Sequence, residues 1–178
     1  MKTIFIKLFI FLTPLFFLAD NGTWKVRSSA ITFKIKNAGL TVDGSFTGLE
    51  ADVKFDPLKP ETASIKASVD AKSINTGNDM RNGHLKKEEY FSVDKFPRIT
   101  LQSVKIEKTG PITYNGVFNL TMKGITKPVL IPFTFMKIPE KTEMKGTFTI
   151  NRRDYGVGGS SMTMADNATV TIVVDLME

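Results

Sequence analysis

The amino-acid sequence predicts an all-β fold: eight antiparallel strands closed on an apolar interior, as a barrel or a sandwich, with one short helical insertion between the third and fourth strands. Three observations predict it. Apolar and polar residues alternate at period two along most of the chain, the pattern of strands buried on one face. Turn-forming residues separate the alternating runs at short, regular intervals. The alternation stops in one stretch, Ser73 to Pro97, where turn residues, mixed charge and the single histidine, His84, crowd together.

The strands follow in order. Ile31, Phe33 and Ile35 alternate with Thr32, Lys34 and Lys36 in the first. Leu49, Ala51, Val53 and Phe55 form the second, extended upstream through Phe46. Ala63, Ile65, Ala67, Val69 and Ala71 make the third, whose inward residues are small. Ile99 and Leu101 begin the fourth, and a phase slip to Val104 and Ile106 predicts a bulge near Gln102 or Ser103. Tyr114, Gly116, Phe118, Leu120 and Met122 line the fifth; Val129, Ile131, Phe133 and Phe135 the sixth. Met144, Gly146, Phe148 and Ile150 give the seventh, and Val170, Ile172, Val174 and Leu176 the eighth. The connections carry turn chemistry: Asn37-Ala38-Gly39, Asp56 to Pro60, Thr109-Gly110-Pro111, Lys123-Gly124 and Pro139 to Lys141.

Only Asn75 to Tyr90 has helical character. Asn75 or Thr76 is the expected N-cap and Asp79 sits favourably in the first turn. Its apolar stripe is thin, Met80 and Leu85 with Tyr90 and Phe91 at the end. Such a helix needs packing against the sheet to persist.

The first nineteen residues read as a leader rather than as part of the fold. Lys2 and Lys7 precede an apolar run from Leu8 to Ala19, with Asp20 just beyond, which is the layout of a secretory signal peptide. The run is shorter than the roughly twenty residues needed to cross a hydrocarbon core. Cleavage after Ala19 leaves one domain over residues 20–178 and a periplasmic or secreted protein; a retained N-terminal anchor is the alternative. The chain has no cysteine, which excludes disulfides and an acylated-cysteine anchor. The net charge of +6 falls to +4 without Lys2 and Lys7, and the remaining lysines are scattered along polar strand faces. Nucleic-acid binding is therefore not expected.

A barrel of eight strands is about wide enough to fill with its own side chains or to hold one small ligand. The small residues Ala63, Ala67, Ala71, Gly116 and Gly146 leave space, whereas Phe33, Phe46, Phe118, Phe133, Phe135 and Phe148 supply aromatic walls. Such walls suit an elongated apolar ligand. An ordinary core with the aromatics interdigitated among the alanines fits the same pattern.

Longer motifs carry a resemblance. Trp24 with Ser28 and Ile31-Thr32-Phe33 opens the domain and Gly44-Ser45-Phe46 follows. Next come Ala67 to Thr76, Arg81-Asn82-Gly83-His84-Leu85 and Tyr90-Phe91 to Asp94-Lys95-Phe96-Pro97. Gly116 to Leu120 runs into Thr121 to Val129, and Phe148 to Gly158 closes the set. In order and spacing the chain resembles the YceI family of polyisoprenoid-binding proteins over nearly its whole mature length. The resemblance implies a lipocalin-like eight-stranded barrel whose tunnel holds a long isoprenoid or similar lipid, and export to the periplasm or beyond. In that family an acid usually follows the arginine; here Asn82 stands in its place. If that acid orients the neighbouring arginine or histidine, Asn82 tunes the headgroup end differently.

The expected function is thus non-enzymatic binding, transport or storage of a polyprenyl- or quinone-type lipid, with no cofactor beyond a bound isoprenoid or fatty-acyl chain. The expected tunnel lining is Phe33, Phe46, Ala67, Tyr114, Phe118, Phe133, Phe148, Ile150 and Tyr155. Headgroup or lid candidates are Arg81, His84, Arg152 and Asp154. Arg81 offers a rigid fork of donors to a diphosphate or quinone oxygen; a salt bridge with Asp79, Glu88 or Asp94 is its alternative role. His84 and Glu88 share a helical face but are two ligands without a third, so no metal site is expected. Arg152 and Arg153 are adjacent on a strand, so only one points inward. Besides the lipid, a transient contact with a membrane or membrane protein and a homodimer are the partners left open. Two other functions remain: an enzyme acting on a barrel-bound lipid through Arg81, His84 and Asp154, or an envelope interaction module with a solid core.

Overall fold

The structure, a computed structural model, describes residues 22–178; the leader expected over residues 1–19 and its cleavage point lie outside the described residues. The strands are β1 (Thr23–Asn37), β2 (Leu40–Phe46), β3 (Glu50–Lys54), β4 (Ser64–Asp70), β5 (Arg98–Lys108), β6 (Thr113–Met122), β7 (Ile125–Ile138), β8 (Lys141–Asn151) and β9 (Met164–Met177). One helix, α1 (Asp79–Lys86), lies between β4 and β5.

Every strand pairing is antiparallel, and β9 returns to β1 to close the sheet. β2 and β3 share one edge of β1 in a single register, Ile31 opposite Phe46 and Trp24 opposite Val53. They are two halves of one wall interrupted at residues 47–49, so the barrel has eight walls. That interrupted wall is the second strand of the sequence pattern, with its upstream extension reaching Leu40. The hairpins at Ala38-Gly39 and Lys123-Gly124 place both central residues at positive φ, which matches the twist of the strands they join. At Gly124, φ is +76° and a Cβ would lie 2.7 Å from the Phe96 ring, so glycine is required on two counts.

Three local expectations need correction. The first strand begins at Thr23 rather than near Ile31; a register shift between Val26 and Ser28 hides the alternation there. The bulge in β5 lies between Ser103 and Lys105. Val104 is the extra residue and is 61% exposed, not inward. Ser103 turns in instead, and its Oγ accepts the Ile65 backbone N–H at 2.9 Å. The α1 cap is neither Asn75 nor Thr76 but Asn78, whose Oδ1 accepts the Arg81 N–H at 2.9 Å. The chain turns first at Gly77, where φ is +71°, with Asn75 Oδ1 accepting the Gly77 N–H at 2.9 Å. That turn delays the helix start.

The two ends of the barrel differ. At the end holding the β5–β6 and β7–β8 hairpins, Trp24, Phe55, Tyr114, Phe133 and Phe135 pack ring against ring. Phe55 and Tyr114 are each only 1% exposed. Trp24 Nε1 donates to the Phe55 carbonyl at 2.8 Å, so the indole is buried with its polar atom satisfied. This is a closed end. The opposite end is covered by the segment from Ser73 to Pro97. Asn75 bridges Ser45, Ser73 Oγ accepts the Thr47 N–H at 2.8 Å, and Phe91 meets Phe46 edge-on at 5.6 Å. The Glu89 carbonyl accepts from Gly158 N at 2.9 Å and from Lys123 Nζ at 3.1 Å, tying the segment to the turns after β8 and β6.

Candidate functional site

Inward residues of every wall enclose a cavity of about 240 Å³ between these ends. Val53, Ile65, Phe118, Ile131 and Phe133 border it toward the closed end, all nearly inaccessible to solvent. Toward the α1 end the wall becomes half-buried: Phe33, Ile35, Val42, Phe46, Leu85 and Met164. The cavity therefore opens between α1 and the β1–β2 hairpin. Its wall is almost wholly aliphatic and aromatic. Among the described residues Arg81 and Arg152 are its only charged ones, and both belong to the α1 end.

Of the expected lining residues, Phe33, Phe46, Ala67, Phe118, Phe133, Phe148 and Ile150 lie on this wall. Tyr114 and Tyr155 do not. Tyr114 belongs to the aromatic stack, 5.3 Å from Phe133 and 5.0 Å from Phe55, with its hydroxyl donating to the Pro57 carbonyl at 3.3 Å. Burial first, and the charge of Asp56 second, push its hydroxyl pKa up. Tyr155 sits in the core cluster beside Val157, its pKa raised by burial and then by Asp154. The two glycines expected to make space differ. A Cβ on Gly116 would lie 2.3 Å from the Phe118 ring, and Gly116 is not on the cavity wall. Gly146 does line the cavity, where a Cβ would lie 2.9 Å from Ile131 Cγ2, and it shares the small-residue wall with Ala51 and Ala67.

The headgroup candidates divide. His84 lies exposed on α1 and Asp154 exposed in the 3-10 turn of residues 152–155, and neither reaches the cavity wall. Arg152 is the inward member of its pair, 4% exposed, but its donors are spent on the protein. Nε meets the Ala165 carbonyl at 2.9 Å, and Nη1 meets the Val157 and Gly159 carbonyls at 2.9 Å each. Nη2 pairs with Asp166 Oδ1 at 3.1 Å. Arg152 is a staple for the turn that follows β8.

Arg81 is different. Its Nε donates to Thr76 Oγ1 at 2.8 Å and Nη2 to the Thr76 carbonyl at 2.7 Å, which holds the guanidinium at the mouth. Among the described residues Nη1 makes no hydrogen bond and Arg81 pairs with no carboxylate; Asp94 is taken by Lys72 at 2.9 Å. Thr76 is itself oriented by Asn82, whose Oδ1 accepts the Thr76 N–H at 2.8 Å and its hydroxyl at 2.7 Å. A backbone N–H can only donate, so the Asn82 atom facing it is the oxygen. Asn82 thus positions Arg81 through Thr76, a relay that motif spacing alone does not show. Asn82→Ala is expected to lose about 1–3 kcal/mol by stranding two buried donors. Thermal unfolding checks this, and the arginine's loosened hold should show as faster hydrogen exchange from Thr76 to Leu85. Asn82→Asp keeps both acceptors and is expected to lose less than Asn82→Ala.

Comparisons with known proteins place this geometry. A family model described as the YceI-like domain matches residues 23–176. A UPF0312 protein of Pseudomonas savastanoi is 31% identical over 115 residues, which are 61% of this chain. The match spans 60% of that relative's own length. Burkholderia cenocepacia BcnA superposes with a TM-score of 0.79 at 26% identity, covering 83% of this chain and 95% of BcnA. A polyisoprenoid binding domain from Saccharophagus degradans, implicated in plant cell wall breakdown, superposes at 0.69 with 14% identity over 86% of this chain and 96% of its own. That last likeness is one of fold. With a family match across every wall of the barrel, the chain belongs to the YceI-like domain family.

Proposed function

We propose that this protein carries one elongated apolar lipid, of the polyisoprenoid type or a comparable acyl chain, inside the barrel without transforming it. The observation that carries the reading is the cavity itself. Its wall is aliphatic and aromatic along nearly its whole length, so an occupying chain gains about 0.8 kcal/mol for each methylene it removes from water. The Saccharophagus domain of the same fold, described as polyisoprenoid binding, supports the chemical class. Arg81, on the cavity lining with only Nε and Nη2 engaged by Thr76, suits an oxygen-bearing headgroup such as a diphosphate or quinone. The enzymatic alternative is disfavoured because only Arg81 of its three residues lines the cavity, with His84 and Asp154 exposed away from it.

The test is direct. Protein purified from a bacterial host and extracted with organic solvent should release a prenyl or long-chain lipid by mass spectrometry, and delipidated protein should take up added prenyl lipid. Empty protein that takes up none would overturn the reading. We also propose export through the leader, with a membrane as the donor or acceptor of the lipid. Sequencing the N-terminus of the periplasmic form should begin at Asp20; a chain still starting at Met1 in the membrane fraction would instead favour the anchor.

A further inference from the structure

We propose that the aromatic stack at the closed end limits the length of chain the cavity accepts, with Phe133 as the floor against which the chain stops. The proposal rests on the lipid-carrying reading above and adds what that reading leaves open, which lengths are held.

Phe133 is the one ring that belongs to both the cavity wall and the stack. On its far side it lies 5.3 Å from Tyr114 and 5.8 Å from Phe55. Phe55 in turn is 4.9 Å from Phe135, and Phe135 is 5.3 Å from Trp24. None of those four lines the cavity. A chain entering beside α1 thus meets Phe133, and behind it a fixed layer. The layer is pinned by polar atoms as well as by packing, through Trp24 Nε1 on the Phe55 carbonyl and the Tyr114 hydroxyl on the Pro57 carbonyl. Rings held at both ends do not swing aside to extend the cavity. Gly146 stands opposite Phe133 in the ladder, and its missing Cβ leaves the space into which Ile131 and Phe133 lean. Beside this floor the wall is completed by Met144, which pairs with Phe135, and by Val174, which pairs with Met144 on the next strand.

Buried methylenes strengthen binding about fourfold each, the equivalent of about 0.8 kcal/mol. Affinity should therefore climb along a series of linear prenyl alcohols, lengthened from geraniol by single isoprene units, and then level off. The level-off length is the readout. In Phe133→Ala the floor drops to Tyr114, and the plateau should move to longer chains by an isoprene unit or more. In Val174→Phe the floor rises and the plateau should move to shorter chains. Either shift, in a variant that gives a cooperative unfolding transition, supports the proposal; if Phe133→Ala does not fold, Val174→Phe decides alone. A plateau at the wild-type length in both folded variants overturns the ruler and leaves lipid binding standing. Absence of binding by any alcohol to wild-type protein overturns both.

Discussion

Replacing Arg152 with alanine is expected to cost about 3 kcal/mol of folding stability, because buried carbonyl acceptors left without their donor cost about 1–3 kcal/mol each. The side chain is 5% exposed and joins two segments: the carbonyls of Val157 and Gly159 in the turn, and the Ala165 carbonyl with the Asp166 carboxylate at the start of β9. Its loss strands those acceptors under a turn that cannot readily refold around them. Gly156 and Gly158 hold φ of +63° and +67°, and a Cβ at Gly158 would be 2.9 Å from the Tyr90 ring. The turn is therefore shaped to sit against the covering segment as well as against the arginine. For a domain of this size each kcal/mol is worth about 2–4 °C, so Tm should fall by roughly 10 °C. Limited proteolysis should cut first within residues 156–166. Arg152→Lys should recover little, because a single ammonium cannot bond a fork of acceptors lying in different directions. A Tm within about 2 °C of wild type, well under the expected loss, would show that Arg152 is not the staple the geometry describes.

The walls of the barrel were legible because a strand buried on one face repeats its chemistry every second residue, and eight such runs stand in the sequence. What escaped was local. The start of β1 is masked by Ser28 and Ser29 at a bulge, and the bulge in β5 sits one residue later than the phase slip suggests. For the cavity, alternation identifies which residues face inward but not how deep each lies. Phe133 and Tyr114 are equivalent by pattern, yet one touches the cavity and the other only the stack behind it. The polar residues were the least legible. His84 and Asp154 drew attention as rare or clustered groups and lie outside, whereas the Asn82–Thr76–Arg81 relay depends on side chains meeting across a turn. Nothing in the spacing of these residues reveals such a meeting; only the φ of Gly77 and the late start of α1 bring the three together.

Ala67→Phe is expected to abolish lipid uptake and, in lipid-free protein, to raise stability. Ala67 lies midway along β4, half-buried, opposite Ala51 on one side and Leu101 on the other, and all three line the cavity. A phenyl ring there points into space that no side chain occupies. Filling an existing cavity commonly adds about 0.5–2 kcal/mol, or a few degrees in Tm. The same ring takes the volume the lipid needs, so binding of a prenyl alcohol should weaken by well over tenfold. The sign of the stability change separates the two structural readings of the interior. In a solidly packed core the same substitution would force neighbours off their rotamers and cost about 1–3 kcal/mol. A further comparison removes the influence of bound lipid. Wild-type protein as purified should melt higher than its own delipidated form, because a ligand that binds only the folded state stabilises it by mass action. Ala67→Phe should show no such difference. A variant less stable than delipidated wild type, together with unchanged uptake, would mean that the chain is held somewhere other than between the walls that Ala51, Ala67 and Leu101 share.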